Sequence, residues 1–122
     1  VFRTGRLSRA RVDRTFGVDS RLGRVLDVGA GDSPYVSELQ GLGQCAIAVD
    51  PDYATRPPDG GAAVAAIGEA LPFRRGAFDR VHVSFVLMHM RDPAAALSEL
   101  TRVVMPGGRI RIEPVWLRRL PL

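Results

Sequence analysis

The sequence contains no lysine: all 17 of its basic residues are arginine. That absence excludes chemistry that needs a lysine amine, including a phosphate-binding loop ending in Lys-Ser/Thr, Schiff-base or pyridoxal catalysis, a Ser-x-x-Lys hydrolase and a Tyr-x-x-x-Lys dehydrogenase. Cysteine is nearly as scarce. With Cys45 alone, neither a disulfide framework nor a cysteine-based zinc site can form within the chain; no metal site is expected, and the expected compartment is a reducing, cytoplasmic one. Long apolar runs are also missing, and nothing approaches the roughly 20 residues of a membrane-spanning helix. The arginine-rich start lacks the hydrophobic segment of a secretory signal, and Asp13 and Asp19 interrupt any organelle-import pattern.

What is present fits one globular domain. The 122 residues are 46% hydrophobic and 25% charged, a composition that supports a single core. The net charge of +4 is unevenly placed. Residues 1–24 hold seven arginines against two carboxylates, a net +5, whereas residues 25–117 carry a net −3 and Arg118 with Arg119 add +2. Three segments are therefore expected: a basic N-terminal arm or helix over 1–24, a domain over 25–115 and a short tail over 116–122. The arm reads either as a solvated basic face or as a contact for phosphate, as on RNA or an anionic membrane surface.

Beyond residue 24, short apolar runs alternate with helical patterns. Val25 to Val28 reads as a buried strand that stops at Gly29, and Pro34 to about Leu42 as a helix capped by Ser33. Cys45 to Val49 reads as a second strand in which Cys45 packs, Ala62 to Ile67 as a weak third and Phe78 to Leu87 as a fourth. Asp92-Pro93 opens a helix with Leu97, Leu100 and Val104 on one face. Pro106-Gly107-Gly108 reads as a tight turn, followed by a fifth strand over Arg109 to Val115. This alternation predicts an α/β fold with a parallel sheet and right-handed crossovers, whose ligand lies at the carboxyl ends of the strands.

The residues at those ends are Asp27 through Ser33, Asp50 to Asp52, Ile67 to Ala70 and Ser84 to His89. The first group, LDVGAGDS, is a glycine turn between strand and helix, where a backbone can approach a ligand closely. Asp50 lies 23 residues after Asp27 at the tip of the next strand, where a carboxylate can accept the hydroxyl protons of a ribose. A dinucleotide fingerprint would need glycine at position 34, where Pro34 stands, which argues against a nicotinamide cofactor.

At this point the sequence resembles the class I S-adenosylmethionine-dependent methyltransferases in their compact small-molecule form. VLDVGAGDS at 25–33 is similar to the family's first motif, AVDPD at 48–52 to its acidic second-strand motif and EALPF at 69–73 to its adenine-side loop. FDRVHVSFVLMHMRDP at 78–93 and ELTRVVMPGGRIRIEP at 99–114 resemble the segments around its fourth and fifth strands. The resemblance implies a Rossmann-like three-layer sandwich with a mostly parallel sheet, lacking the C-terminal antiparallel hairpin of the full family fold. It also implies S-adenosyl-L-methionine as cofactor and a small-molecule methyl acceptor. Carried over by position, Asp27 would hold the methionine ammonium through water, Gly29, Ala30 and Gly31 would let the cofactor lie on the turn, and Asp50 with Pro51 would meet the ribose. Gly68, Glu69 and Ala70 would border the adenine, Ser84 and Phe85 the methionine moiety, and His89 would be the acid–base residue facing the acceptor.

Two positions depart from the family pattern: Ser33 stands where a third glycine is usual, and Ile67 where an acidic residue is common. His82 reads as a sheet-face residue, and Met88 and Met90 as packing residues or the lining of an apolar acceptor pocket. Glu99 with Arg102 reads as a surface pair, and Tyr35 and Tyr53 as residues bordering the cofactor or facing solvent. Two other readings stand beside methyl transfer to a small molecule. Because so little chain follows the fifth strand, one is a truncated or degenerate methyltransferase fold that acts as a non-catalytic binding or assembly module, pairing through an open sheet edge as in a homodimer; the other, from the arginine arm, is an RNA methyltransferase.

Overall fold

Short runs of β-branched and aliphatic residues build the framework. The computed structural model describes residues 23–32, 35–41, 43, 45–58, 62–84 and 90–113, with Ser84 and Glu113 described by backbone only. Strand β1 (Arg24–Val28) leads through the glycine turn to helix α1 (Tyr35–Gly41), followed by β2 (Cys45–Val49) and a 3-10 turn (Pro51–Ala54). Then come β3 (Ala62–Val64), β4 (Phe78–Ser84), α2 (Pro93–Val103) and β5 (Val104–Glu113). The five strands form one sheet in the order β3-β2-β1-β4-β5, and every neighbouring pair is parallel. The chain steps outward from β1 to β3 and then crosses to β4 and β5. The strand order therefore reverses at β1, and a ligand crevice belongs at that carboxyl end.

A helix covers each face of the sheet, giving three layers. On the α1 side, Val25, Ala46 and Ala48 pack with Tyr35, Val36 and Leu39. On the α2 side, Leu26, Val28, Val49, Val81 and Val83 pack with Leu100 and Val103. Neighbours within a strand, such as Val25 and Leu26, are both fully buried because both faces are covered. Asp92 caps α2, its carboxylate accepting from Ala95 N, with Pro93 in the first turn as its fixed φ favours.

The structure corrects several sequence expectations. The third strand ends at Val64, and Ile67 instead bridges to Ala70 across a tight turn. The buried stripe of α2 is Ala96, Leu100 and Val103; Leu97 is 45% exposed, and Val104 already belongs to β5. The fifth strand begins directly at Val104, with Pro106-Gly107-Gly108 inside it. Phe78 pairs with Val104 and Arg80 with Arg109, so the turn-like residues form an irregularity within the pairing and do not precede it. Cys45, expected to pack, is exposed. The basic arm, the tail, Ser33, Pro34, Leu42 and residues 85–89 lie outside the described residues. Among the described residues, no helix is long and apolar enough to cross a membrane.

Candidate functional site

The carboxyl end of β1 turns sharply because Gly29 and Gly31 take left-handed φ values of 73° and 54°, which residues with a Cβ disfavour. The amides of Gly29 and Ala30 donate to the carbonyl of Val49 at the tip of β2, at 2.7 and 3.2 Å. Asp50 follows immediately. Its carboxylate accepts from Gly31 N and from Asp52 N, each at 2.9 Å, so one side chain ties the glycine turn to β2 and caps the 3-10 turn. From the other side, the Tyr53 hydroxyl donates to the Gly31 carbonyl at 2.8 Å. Gly31 is thus held at both its backbone groups.

Tyr53 is buried, not facing solvent, and its phenol is pushed up to about 12, first by desolvation and then by the negative charges of Asp50, Asp27 and Asp32. It remains a proton donor at any ordinary pH. The same carboxylates make this end of the sheet electronegative, which suits a positively charged ligand.

The opposite wall comes from the turn after β3. Ala70 N donates to the Ile67 carbonyl at 3.2 Å, closing Ile67-Gly68-Glu69-Ala70. Gly68 is buried against Met90, and a Cβ there would stand 2.6 Å from the Met90 Cε. The Glu69 carboxylate accepts from Arg91 N at 3.0 Å and Asp92 N at 3.3 Å, joining this wall to the start of α2. Glu99 and Arg102 form the expected i, i+3 pair, partly exposed, and also reach the loop before β4. Glu99 accepts from Leu71 N, and Arg102 donates to the carbonyls of Leu71 and Phe73.

Between the two walls lies a cleft of about 450 Å³, within the range of small-molecule sites. Of the residues expected from sequence, Gly29, Asp50, Pro51, Gly68 and Glu69 line it. Ala30, Gly31 and Ala70 complete the turns without lining it. Sequence reasoning placed Val28 in the strand-end group without giving it a role, and missed Ala66 and Arg91; the last is marked only by its position beside the Asp92 cap. Ile67 and Met90 supply apolar surface for a flat ring. Asp27 is set back on the α1 face, 2% exposed, with its carboxylate 3.3 Å from His82 Nδ1 and the Tyr35 ring 4.8 Å from the His82 ring. Phe85 and His89 lie outside the described residues, as does the side chain of Ser84.

The cleft therefore combines a buried carboxylate at a strand tip, a glycine turn, apolar walls and an acidic surround. Each Asp50 oxygen that accepts an amide retains a second lone pair for a ligand hydroxyl. These features fit a cationic nucleoside such as S-adenosylmethionine.

Comparison with known proteins points the same way. Residues 26–112 match the family model described as a methyltransferase domain. The demethylmenaquinone methyltransferase of Mycolicibacterium vanbaalenii is 39% identical over 92 residues, covering 71% of this chain and 40% of that protein. The enzyme of the same name from Corynebacterium kroppenstedtii is 36% identical over 94 residues, covering 73% and 40%. The chain thus spans about two fifths of the length of these curated relatives. Among solved structures, an S-adenosylmethionine-dependent methyltransferase of Mesorhizobium loti superposes with a TM-score of 0.63 at 21% identity, covering 74% of this chain and 45% of its own. An Anabaena variabilis protein from an antibiotic biosynthesis pathway, described as a methyltransferase, reaches 0.73 at 19% identity, covering 84% and 42%. At such identities these two establish the fold. With the family model matched over most of its length, the chain belongs to the methyltransferase-domain family, the class I S-adenosylmethionine-dependent methyltransferases.

Proposed function

We propose that this chain forms the cofactor-binding part of an enzyme that transfers a methyl group from S-adenosylmethionine to a small-molecule acceptor. The observation that carries the reading is Asp50, a buried carboxylate at the tip of β2 that lines the cleft beside the glycine turn. Its free lone pairs would accept the ribose hydroxyls, and Gly29 and Gly31 would give the ligand room against the turn. Backbone groups of Gly68, Glu69 and Ala70 would border the adenine; the Glu69 carboxylate is already occupied by two amides. Asp27 would act on the methionine ammonium through water, from its position behind the turn, and Ser84 and Phe85 would bound the methionine chain.

Bound S-adenosylmethionine supplies a methyl group on a positively charged sulfonium, so the protein needs no nucleophile of its own. Its tasks are to bind, to exclude water and to align the acceptor, and His89 would take the acceptor's proton. The relatives named demethylmenaquinone methyltransferase are similar over the same stretch, which supports demethylmenaquinone as the first acceptor to assay. Calorimetric titration with S-adenosylhomocysteine tests the core of the reading. Saturable binding is expected, and no heat at millimolar ligand would sink it.

A further inference from the structure

We propose that Glu99 and Arg102 are positioning residues for the nucleobase end of the ligand, acting through the loop that forms one wall of the cleft; this rests on the cofactor-binding reading above. Neither residue lines the cleft. Both project from α2 toward residues 71–73, which belong to no helix or strand and need partners for their backbone groups. Leu71 N donates to Glu99 Oε1 at 2.7 Å. The Arg102 guanidinium donates through Nη2 to the Leu71 carbonyl at 2.9 Å and through Nη1 to the Phe73 carbonyl at 2.7 Å. The fork is aimed by Glu99 itself, which accepts from Arg102 Nε at 2.6 Å and Nη2 at 3.0 Å. Two side chains thereby satisfy three backbone groups of one loop.

The fixed stretch adjoins the wall directly. Gly68 and Glu69 lie two to three residues before Leu71, whose side chain is itself buried in the core. Glu69 is tied to Arg91 N and Asp92 N at the opposite end of the same helix. The wall is therefore suspended from α2 at two points, one near each end. A binding surface keeps its geometry only when its supporting contacts are themselves locked. The planar Arg102 fork meets two carbonyls and a carboxylate together, which the single ammonium of a lysine cannot reproduce.

The test uses the chain with Arg102→Lys, Glu99→Ala and Glu99→Gln, plus Val103→Ala as a control that loosens the same helix and the shared core without removing a hydrogen bond to the loop. S-adenosylhomocysteine affinity is measured by calorimetry well below each melting temperature, and amide exchange is followed over residues 66–73. Arg102→Lys and Glu99→Ala are expected to weaken binding about tenfold. Glu99→Gln, whose amide oxygen can still accept from Leu71, should lie within about threefold of the parent. Exchange at Leu71 should accelerate in Glu99→Ala and not in Val103→Ala. Parent-like affinity in Arg102→Lys, or an equal loss in Val103→Ala, would overturn the proposal. If the parent chain binds no S-adenosylhomocysteine, the cofactor reading falls and the ligand-positioning role with it, whereas parent binding together with unchanged Leu71 exchange in Glu99→Ala rejects the positioning role alone.

Discussion

The two faces of the sheet are built from the same strands and differ in kind. Toward α2, β1, β2 and β4 present Leu26, Val28, Val49, Val81 and Val83, all sealed by Leu100 and Val103. Toward α1, the alternate positions are Val25, Ala46 and Ala48, accompanied by Asp27, Arg80 and His82, each less than a tenth exposed. One face is hydrocarbon and stabilises by burial; the other buries polar groups whose desolvation must be offset by partners. Asp27 and His82 are register neighbours on β1 and β4, so the parallel pairing itself brings them together. The difference suggests a division of labour in which the α2 face carries stability and the α1 face trades stability for a carboxylate behind the glycine turn.

The largest expected effect belongs to the apolar face. Leu100→Ala should cost about 2 to 5 kcal/mol of unfolding free energy, read from the denaturant midpoint, and leave ligand affinity unchanged where the protein remains folded. A loss of affinity in the folded variant would break the comparison. On the polar face, Asp27→Ala should cost about 1 to 3 kcal/mol because His82 loses a buried partner. Replacing both as Asp27→Val with His82→Val should recover most of that stability, since matched apolar groups need no partners. If the face is polar for function, the double variant regains its melting temperature without regaining affinity for S-adenosylhomocysteine. Asp50→Ala, at the cleft itself, should weaken that affinity by about 1.5 to 3 kcal/mol in calorimetry. Unchanged binding would remove Asp50 from the site.

This contrast also explains what the sequence could and could not disclose. Parallel strands buried on both faces leave continuous apolar runs, so VLDV and CAIAV are readable by composition, and the glycine turn and Asp50 follow from their places at strand ends. The start of β5 was hidden because Pro106-Gly107-Gly108 has the composition of a turn, and only pairing with β4 absorbs it into a strand. Glu99 and Arg102 look like any i, i+3 surface pair, since nothing local announces that Leu71, 28 positions upstream, returns to meet them. Tyr53 gave an equally weak signal. Its hydroxyl's partner, the Gly31 carbonyl, lies 22 residues away in the chain.

The ionisation of Glu99 and of Tyr53 sharpens the comparison further. Glu99 has its carboxyl held below the ordinary carboxylate range, chiefly by the Arg102 hydrogen bond. A lowered folded pKa contributes stability that is present above the unfolded value of 4.5 and lost as pH falls through the folded one. Glu99→Gln should therefore flatten the acid limb of a denaturation series. Tyr53 runs in the opposite sense. Its folded pKa of about 12 exceeds the unfolded value of 10.0, so its contribution is complete below pH 10 and disappears as pH rises toward 12, where the unfolded chain alone has released the proton. Tyr53→Phe keeps the buried ring and removes the hydroxyl, which should cost only about 0.5 to 1.5 kcal/mol at neutral pH for the lost bond to Gly31. The variant's stability should then change less than the parent's between pH 10 and 12, and an equally steep alkaline fall in both would show that the fall does not come from the phenol that holds the glycine turn.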